Sequence, residues 1–286
     1  MDRDPPIPSG LGAHLDAMGQ LARSLEGWLS VREARFLALV AAVPTCDGEI
    51  LEIGSFKGKS TIILAKSAAF AQRGKVIAVD PLTLPSCTDP TDADPRQLEF
   101  LFRHNLDEHA VSALVEFHKM TSGELAGSWD RPLRVLWIDG DHRYEAALFD
   151  LEAFRRHLAP GAIVAFHDVL GRFPGVARVF CERVLADDQF GACGVWGSCG
   201  WGQFVGGSAG SSHRPRRRRL RARLEALMPH MDQPAHPWRE MITSAFRRWS
   251  VPHHGLGPAE WLRQVRAVDT AGVEPRSAPT GHGRLE

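Results

Sequence analysis

Short apolar runs alternate with helical segments between residues 49 and 186, and this alternation limits the possible folds more than any other feature. The apolar runs have the length of buried strands and lie at 49–54, 75–80, 114–120, 133–139 and 162–168. Between them, apolar residues recur every three or four positions, as they do on amphipathic helices. This alternation predicts an α/β fold with a doubly wound, mainly parallel sheet that is covered on both faces.

The flanking segments predict additional elements. Apolar spacing over 12–28 predicts a helix, and Ser30 followed by Glu33 is the capping-box pattern of a second helix. The Gly-rich stretch 190–207 predicts two short strands joined by a turn at a sheet edge, followed by a linker and by helices at 217–228, 238–249 and 259–268. We therefore divide the chain into a helical N-terminal extension, a main domain, and a basic tail of linker and short helices with a disordered end, at 1–44, 45–206 and 207–286.

The composition argues against several classes of protein. The five cysteines form no CxxC pair, which disfavours a disulfide framework or a thiolate zinc site and makes the reducing cytoplasm the expected location. The longest apolar run has eight residues, so no integral membrane association is expected. From residue 207 onward, 14 arginines against 7 acidic residues leave a net charge of +7. Such basic runs are more often solvated helix faces than nucleic-acid sites, so nucleic acid is not an expected partner.

A glycine loop follows the first predicted strand and contains Gly54, Gly58 and Ser60. The glycines allow a sharp turn and close approach to a ligand, and the N–H groups at the following helix start attract a carboxylate or phosphate. The spacing matches neither GxGxxG nor the P-loop. Glu52, inside the strand, is a carboxylate that is costly to bury unpaired, and Asp80 ends the next strand, where an acid can bind ribose hydroxyls. These residues predict a ligand site at the carboxyl ends of the strands.

Five segments together resemble the class I S-adenosylmethionine-dependent methyltransferases, in particular the catechol-type and sugar-tailoring O-methyltransferases that use a divalent cation. The segments are LEIGSFKGKST, VIAVD, FLFRHNLDEHAV, WIDGDHRYEAALFDLEAFRRHLAPGAIVAFHD and FPGVARV. They lie within 45–180, and the pair IDGDHRYE and LAPGAIVAFHD is the most specific. The resemblance implies a seven-stranded Rossmann-like sheet and S-adenosylmethionine as the cofactor.

The resemblance also implies roles for individual residues around the cofactor. Its methionine part would lie beside the glycine loop, with Ser60 near the carboxylate, its ribose beside Asp80, and its adenine beside Ser122. Asp139 would lie beside both the methionine amine and a metal ion. The full set of predicted cofactor-binding residues is Glu52, Gly54, Ser55, Gly58, Ser60, Asp80, Ser122 and Asp139.

Two clusters, Asp139–His142 and His167–Asp168, follow strands that are neighbours in such a sheet. Asp139, His167 and Asp168 would hold Mg²⁺ or another divalent cation, which would lower the pKa of an acceptor hydroxyl and orient it. His142 occupies the place of the family's general base, so the predicted catalytic residues are His142, Asp139 and His167. The family usually carries two carboxylates or Asp-Asn at the second cluster, so the metal's identity stays open.

The resulting prediction is an O-methyltransferase that acts on a hydroxylated small molecule, a sugar or a polyhydroxylated natural product. The alternatives are a metal-independent methyltransferase with His142 or His167 as base, a nicotinamide-dependent oxidoreductase on a similar fold, and a nucleic-acid-binding protein that uses the arginine run. Loops 81–95 and 169–175 are expected to shape the acceptor pocket. A homo-oligomer is possible through the helices at 12–43 or the tail.

Overall fold

The computed structural model describes residues 7–83, 94–207, 209–231, 237–251 and 257–266. Its strands are β1 (Glu49–Ile53), β2 (Val76–Val79), β3 (Val115–His118), β4 (Leu133–Ile138), β5 (Leu158–Phe166), β6 (Phe190–Trp196) and β7 (Cys199–Phe204). They form one seven-stranded sheet in the order β3-β2-β1-β4-β5-β7-β6. The first five strands in this order are parallel, and β7 runs antiparallel to both of its neighbours. The predicted fold class is therefore confirmed, including the terminal hairpin.

Helices cover both faces of the sheet. They are α1 (Leu11–Ser24), α2 (Val31–Ala42), α3 (Lys59–Phe70), α4 (Pro95–Glu108), α5 (Ser122–Ala126), α6 (Tyr144–Arg155), α7 (Pro174–Val179), α8 (Arg214–Leu227), α9 (Pro237–Ser250) and α10 (Pro258–Gln264). In β1, Ile50 packs into one apolar cluster and Leu51 into the cluster on the opposite face. Burial on both faces explains why the strands are continuous apolar runs instead of alternating patterns. Within the described part of the chain, every helix is too short or too polar to cross a bilayer.

Several helix ends differ from the prediction, and two of them change the surroundings of the sheet and the glycine loop. The apolar spacing of residues 144–159 predicts one helix, but the sixth helix ends at Arg155, because Pro160 and Gly161 lie inside β5, where a shift in pairing with β4 accommodates them. The first helix ends at Ser24 and not at 28, so Trp28 lies outside it and is 55% exposed. Trp28 packs against Phe56 of the glycine loop instead, with ring centroids 5.0 Å apart.

The tail packs on the sheet more closely than predicted. Residues 209–213, predicted as linker, form a 3-10 helix, and the basic run forms α8, whose leucines enter the core. Arg217 is buried and forms an ion pair with Asp188 at 2.6 Å, which is not the solvated position expected of such a run. The predicted disordered end lies outside the described residues from 267 onward. The division at 44 and 206 stays a prediction.

Trp261 of α10 is fully buried against α2 and β7. Its ring lies 6.4 Å from that of Phe36 and 5.0 Å from that of Trp201, centroid to centroid. We expect Trp261→Ala to lower the free energy of unfolding by about 3–5 kcal/mol, because it leaves a large cavity in the core. Urea denaturation measures the change, and Trp249→Ala is the control because Trp249 is 84% exposed. Equal effects of the two substitutions would show that α10 does not contribute to the core.

Candidate active site

The glycine loop connects β1 to α3 at the carboxyl edge of the sheet. Gly54 has a φ of 87°, and a Cβ there would overlap the backbone carbonyl of Asp139. Gly58, also at φ 87°, is the residue before α3, so the turn favours glycine, and the side chain of Phe102 of α4 packs closely against it. The loop therefore brings the first turn of α3 next to the end of β4.

Asp80 at the end of β2 fixes the shape of this loop. Its Oδ2 accepts hydrogen bonds from the backbone N–H groups of Ser55 at 2.8 Å and Phe56 at 2.9 Å. Its Oδ1 accepts a hydrogen bond from the N–H of Leu82 at 2.7 Å. Asp80 thus joins the two loops that follow neighbouring strands, and it lines the cavity described below.

Glu52 is fully buried in β1 behind the loop. Its Oε2 accepts a hydrogen bond from the hydroxyl of Thr61 at 2.5 Å. Burial, together with the nearby charges of Asp139 and Asp80, raises the pKa of Glu52 to about 8. Hydrogen bonds from Ser60 and Thr61 lower this pKa, but their effect is smaller. The side chain therefore carries a proton at neutral pH, which relieves the cost of burying a charge.

Because of this pKa, we expect Glu52→Gln to change how stability depends on pH. Folded protein keeps the Glu52 proton up to about pH 8, whereas unfolded protein loses it near 4.5. Folding is therefore favoured less and less as the pH rises through this window. The Gln variant lacks this loss, so its stability relative to wild type should rise between pH 5 and 8.5 by on the order of a few kcal/mol. Urea denaturation at both pH values measures this, with exposed Glu108→Gln as the control, and parallel pH curves would contradict it.

Four atoms of the kind that donate electron pairs to a metal ion, two carboxylate oxygens and two imidazole nitrogens, form a closed ring at the ends of β4 and β5. His167 Nδ1 lies 3.0 Å from Asp139 Oδ1 and 3.9 Å from Asp168 Oδ2. His142 Nε2 lies 3.7 Å from each of the same two oxygens. We call these four residues the donor ring. The two predicted Asp-His clusters thus meet in space, and carboxylates alternate with imidazoles around the ring.

The charges of the donor ring are strongly coupled. Burial by itself lowers the pKa of His167, but Asp139, Asp168 and Glu33 raise it well above its ordinary value. Burial raises the pKa of Asp139, against the opposing effects of His167 and His142. Buried opposite charges held this closely stabilise each other. The neighbouring carboxylates therefore favour the protonated form of the His167 imidazole.

The backbone around the site contains strained positions. Asp168 has a φ of 56°, Phe56 of 46° and Leu82 of 49°, all in the left-handed region that residues other than glycine rarely occupy. The turn after Asp168 is closed by a hydrogen bond at 2.9 Å, which the N–H of Gly171 donates to the backbone carbonyl of Asp168. Such conformations persist at sites where the surrounding structure holds them in place.

A cavity of about 440 Å³ joins the glycine loop to the donor ring. At one end, Ser122 donates a hydrogen bond to Asp150 at 2.5 Å, and burial raises the pKa of Asp150 to about 6. Near the donor ring, His142 stacks on Phe173 with ring centroids 4.6 Å apart. Most of the predicted site residues line this one cavity: Gly54, Ser55, Ser60, Asp80, Ser122, Asp139, His142, His167 and Asp168. Glu52 and Gly58 lie behind it.

Residues 51–169 match a family model described as a methyltransferase domain. Residues 51–169 are therefore a methyltransferase domain. The predicted membership of the S-adenosylmethionine-dependent methyltransferases is thereby confirmed, and the nicotinamide-dependent alternative is set aside.

Solved structures share the fold of this methyltransferase at low identity. Cofactor-bound Rv0187 from MTB is 18% identical with a TM-score of 0.50, over 72% of this chain and all of that one. The O-methyltransferase TomG from Streptomyces achromogenes, involved in tomaymycin synthesis and solved with S-adenosylmethionine, is 20% identical with a TM-score of 0.50, over 68% and 90%. The O-methyltransferase NovP is 14% identical with a TM-score of 0.53, over 68% and 100%.

The methyltransferase site also contains residues that the sequence analysis did not assign to it. Trp28, Lys59 and Phe149 line the cavity, and the Lys59 ammonium donates a hydrogen bond to the carbonyl of Gly27 at 2.9 Å. Glu33, predicted only as part of a capping box, reaches the donor ring from α2. Of the loop predicted to shape the acceptor pocket, 84–93 lies outside the described residues.

Proposed function

We propose that this methyltransferase transfers the methyl group of S-adenosylmethionine to a hydroxyl of a small molecule, a sugar or a polyhydroxylated natural product. The observation that carries the proposal is the donor ring, which opens into the same cavity as the glycine loop. Methylation of a hydroxyl needs a group that takes its proton and groups that orient its oxygen, and the ring offers both. TomG and NovP, which share the fold, are described as O-methyltransferases.

The polar residues that line the cavity suit the polar groups of S-adenosylmethionine. Ser60 and the first turn of α3 suit the methionine carboxylate, because helix N–H groups attract anions. Asp80 suits the ribose, and Ser122 suits the adenine. When bound, the cofactor supplies an electrophilic methyl group. The chain's own residues bind and orient both reactants, and His142 would take the proton of the acceptor hydroxyl through its imidazole.

We propose that Asp139, His167 and Asp168 hold a divalent cation at the donor ring, where ligand atoms of Asp139, His142 and His167 all lie within 4.8 Å of one another. Adjacent donor atoms are 3.0–3.9 Å apart. Ligands about 2.1 Å from a shared ion are separated by about 3.0–3.4 Å. A bound cation would stabilise the negative charge of a deprotonated acceptor oxygen. Because the ring contains imidazole, we propose a transition metal in preference to Mg²⁺, which favours oxygen ligands.

A second candidate is methyl transfer without a metal. The raised pKa of His167 favours it, because a protonated imidazole already supplies a positive charge beside Asp139. In that reaction His142 would act as the base and His167 would hold the acceptor oxygen. The two candidates differ in whether a chelator abolishes activity.

Calorimetric titration with S-adenosylmethionine, with and without a chelator, tests the proposal. Saturable binding is expected in both conditions, since the glycine loop lies outside the donor ring. Screening of hydroxylated acceptors then follows, with and without Mn²⁺, Co²⁺ and Mg²⁺. Activity lost to the chelator and restored by Mn²⁺ or Co²⁺ supports the metal, and full activity in chelator supports the second candidate. Absence of cofactor binding would overturn the proposal.

The remaining predictions about the cellular setting are part of the proposal. The described cysteines at positions 46, 181, 193 and 199 are free and buried. Burial raises the pKa of the Cys46, Cys181 and Cys193 thiols to about 12, so these thiols are unreactive. We propose a cytoplasmic enzyme with a small-molecule acceptor and no nucleic-acid partner, and size-exclusion chromatography with light scattering will decide whether it forms a homo-oligomer.

A further inference from the structure

Glu33 lies in the first turn of α2, yet only 2% of it is exposed. Its Oε2 accepts a hydrogen bond from the backbone N–H of Ser30 at 2.8 Å, and the Ser30 hydroxyl accepts one from the Glu33 N–H at 3.4 Å. This capping box explains why a glutamate stands at this position in the chain. It does not explain the burial, because a cap needs only contact with its own helix end.

The turn between β6 and β7 holds the same carboxylate from the other side. Glu33 Oε1 accepts hydrogen bonds from the backbone N–H of Ser198 at 2.7 Å and from its hydroxyl at 2.8 Å. Gly197 leaves room for this contact, since a Cβ there would lie 2.7 Å from Glu33. The carboxylate is therefore fixed by groups from two separate parts of the chain.

Glu33 held in this way faces His167. Its Oε2 lies 3.7 Å from His167 Nε2, while Nδ1 of the same imidazole lies 3.0 Å from Asp139. If the imidazole rotated by a half-turn about its bond to Cβ, carbon atoms would face Glu33 and Asp139 in place of Nε2 and Nδ1. A fixed carboxylate on the Nε2 side therefore favours the orientation in which Nδ1 points into the donor ring.

We propose that Glu33 is a positioning residue that fixes the orientation of the His167 imidazole in the donor ring. It acts through His167 and contacts neither the cavity nor the reactants. The orientation itself is independent of the proposed metal, whereas the effect on cation affinity rests on that proposed function. A carboxylate from the N-terminal helices thereby becomes part of the active-site support.

Glu33→Gln keeps the shape of the side chain and a cap acceptor, and it weakens the contact with Nε2. Its matched control is Glu124→Gln, because Thr121 and Glu124 form a second capping box in this chain that is exposed. Two readouts report on His167: the ¹⁵N signals of its imidazole in metal-free protein, and the Kd for Co²⁺ measured by calorimetry and visible absorption. The Kd for S-adenosylmethionine checks that the cofactor site is intact.

We expect Glu33→Gln to shift the His167 ¹⁵N signals and to weaken Co²⁺ binding by about 10–100-fold, as loss of a carboxylate partner does at metal-bound histidines. Cofactor affinity should change less than about threefold, and Glu124→Gln should leave both readouts unchanged. Unchanged His167 signals and Co²⁺ affinity in Glu33→Gln would overturn the proposal. If wild-type protein binds no cation, the metal proposal fails, and the ¹⁵N signals alone decide the role of Glu33. If Glu33→Gln does not fold, Ser198→Ala, which removes one donor to Glu33, takes its place in the same measurements.

Discussion

Replacing Asp139 with asparagine will lower kcat/KM for methyl transfer by about 10³-fold, within the range expected for loss of a positioned acid–base or charge-stabilising group. Asp139 Oδ1 lies close to both imidazoles of the donor ring, at 3.0 Å from His167 Nδ1 and 3.7 Å from His142 Nε2. Asparagine keeps the shape of the side chain but removes its charge. Both histidines then lose the carboxylate that orients them, whether or not a metal takes part.

The variant is expected to fold, because asparagine keeps the shape of the side chain and His167 keeps the carboxylates of Glu33 and Asp168 as neighbours. Steady-state kinetics with the identified acceptor, together with circular dichroism, separates loss of function from loss of structure. Asp47→Asn is the control, since Asp47 is exposed, pairs with Arg73 at 3.0 Å and lies before β1 at the opposite edge of the sheet. An Asp139→Asn protein with full turnover would show that the donor ring is not the active site.

A second large effect is expected for Gly54→Ala. Alanine at a φ of 87° is strained, and its Cβ would overlap the carbonyl of Asp139, so the ends of β1 and β4 must separate. Backbone strain and overpacking together should lower the free energy of unfolding by about 3–5 kcal/mol. The Tm should fall by about 10 °C, and cofactor affinity should fall as well, because the loop and Asp139 line the same cavity.

Differential scanning calorimetry and cofactor titration measure these two changes. The control is Gly12→Ala, since Gly12 lies in α1 with open space around its Cβ position and without a positive φ. That substitution should change the stability by less than about 1 kcal/mol. A Gly54→Ala protein as stable as the Gly12→Ala protein would show that the two strand ends do not lie as close as described.

The sequence was sufficient to predict the sheet, because the five parallel strands are short, largely apolar runs, and four of the five predicted runs end at a glycine or an aspartate. It also predicted which polar residues would meet, since Asp139 and Asp168 follow neighbouring strands whose carboxyl ends share one edge. Patterns of this kind can be recognised from residues that are adjacent in the sequence. The capping box at Ser30 is another such pattern, and the structure contains it.

The contributions of distant segments were not predictable in the same way. Glu33 is 134 positions before His167 in the chain, and only the packing of α2 against the sheet brings the two together. The burial of Arg217 likewise depends on Asp188, which lies in a turn without any pattern of its own. Trp28 fits a helical spacing, yet Leu25 adopts an extended conformation and ends the helix before it. Each of these depends on contacts that no short window of sequence contains.

The contact of Trp261 with Phe36 and Trp201 has a consequence for biosynthesis. In the described part of the chain, Trp261 of α10 packs between an early helix and a late strand and covers apolar surface of both. During translation that surface stays open after the whole sheet has been made, until residues 258–264 have left the ribosome. Nascent chains of intermediate length will therefore carry an exposed hydrophobic patch of the kind that chaperones bind, even though all seven strands of their sheet have already been made.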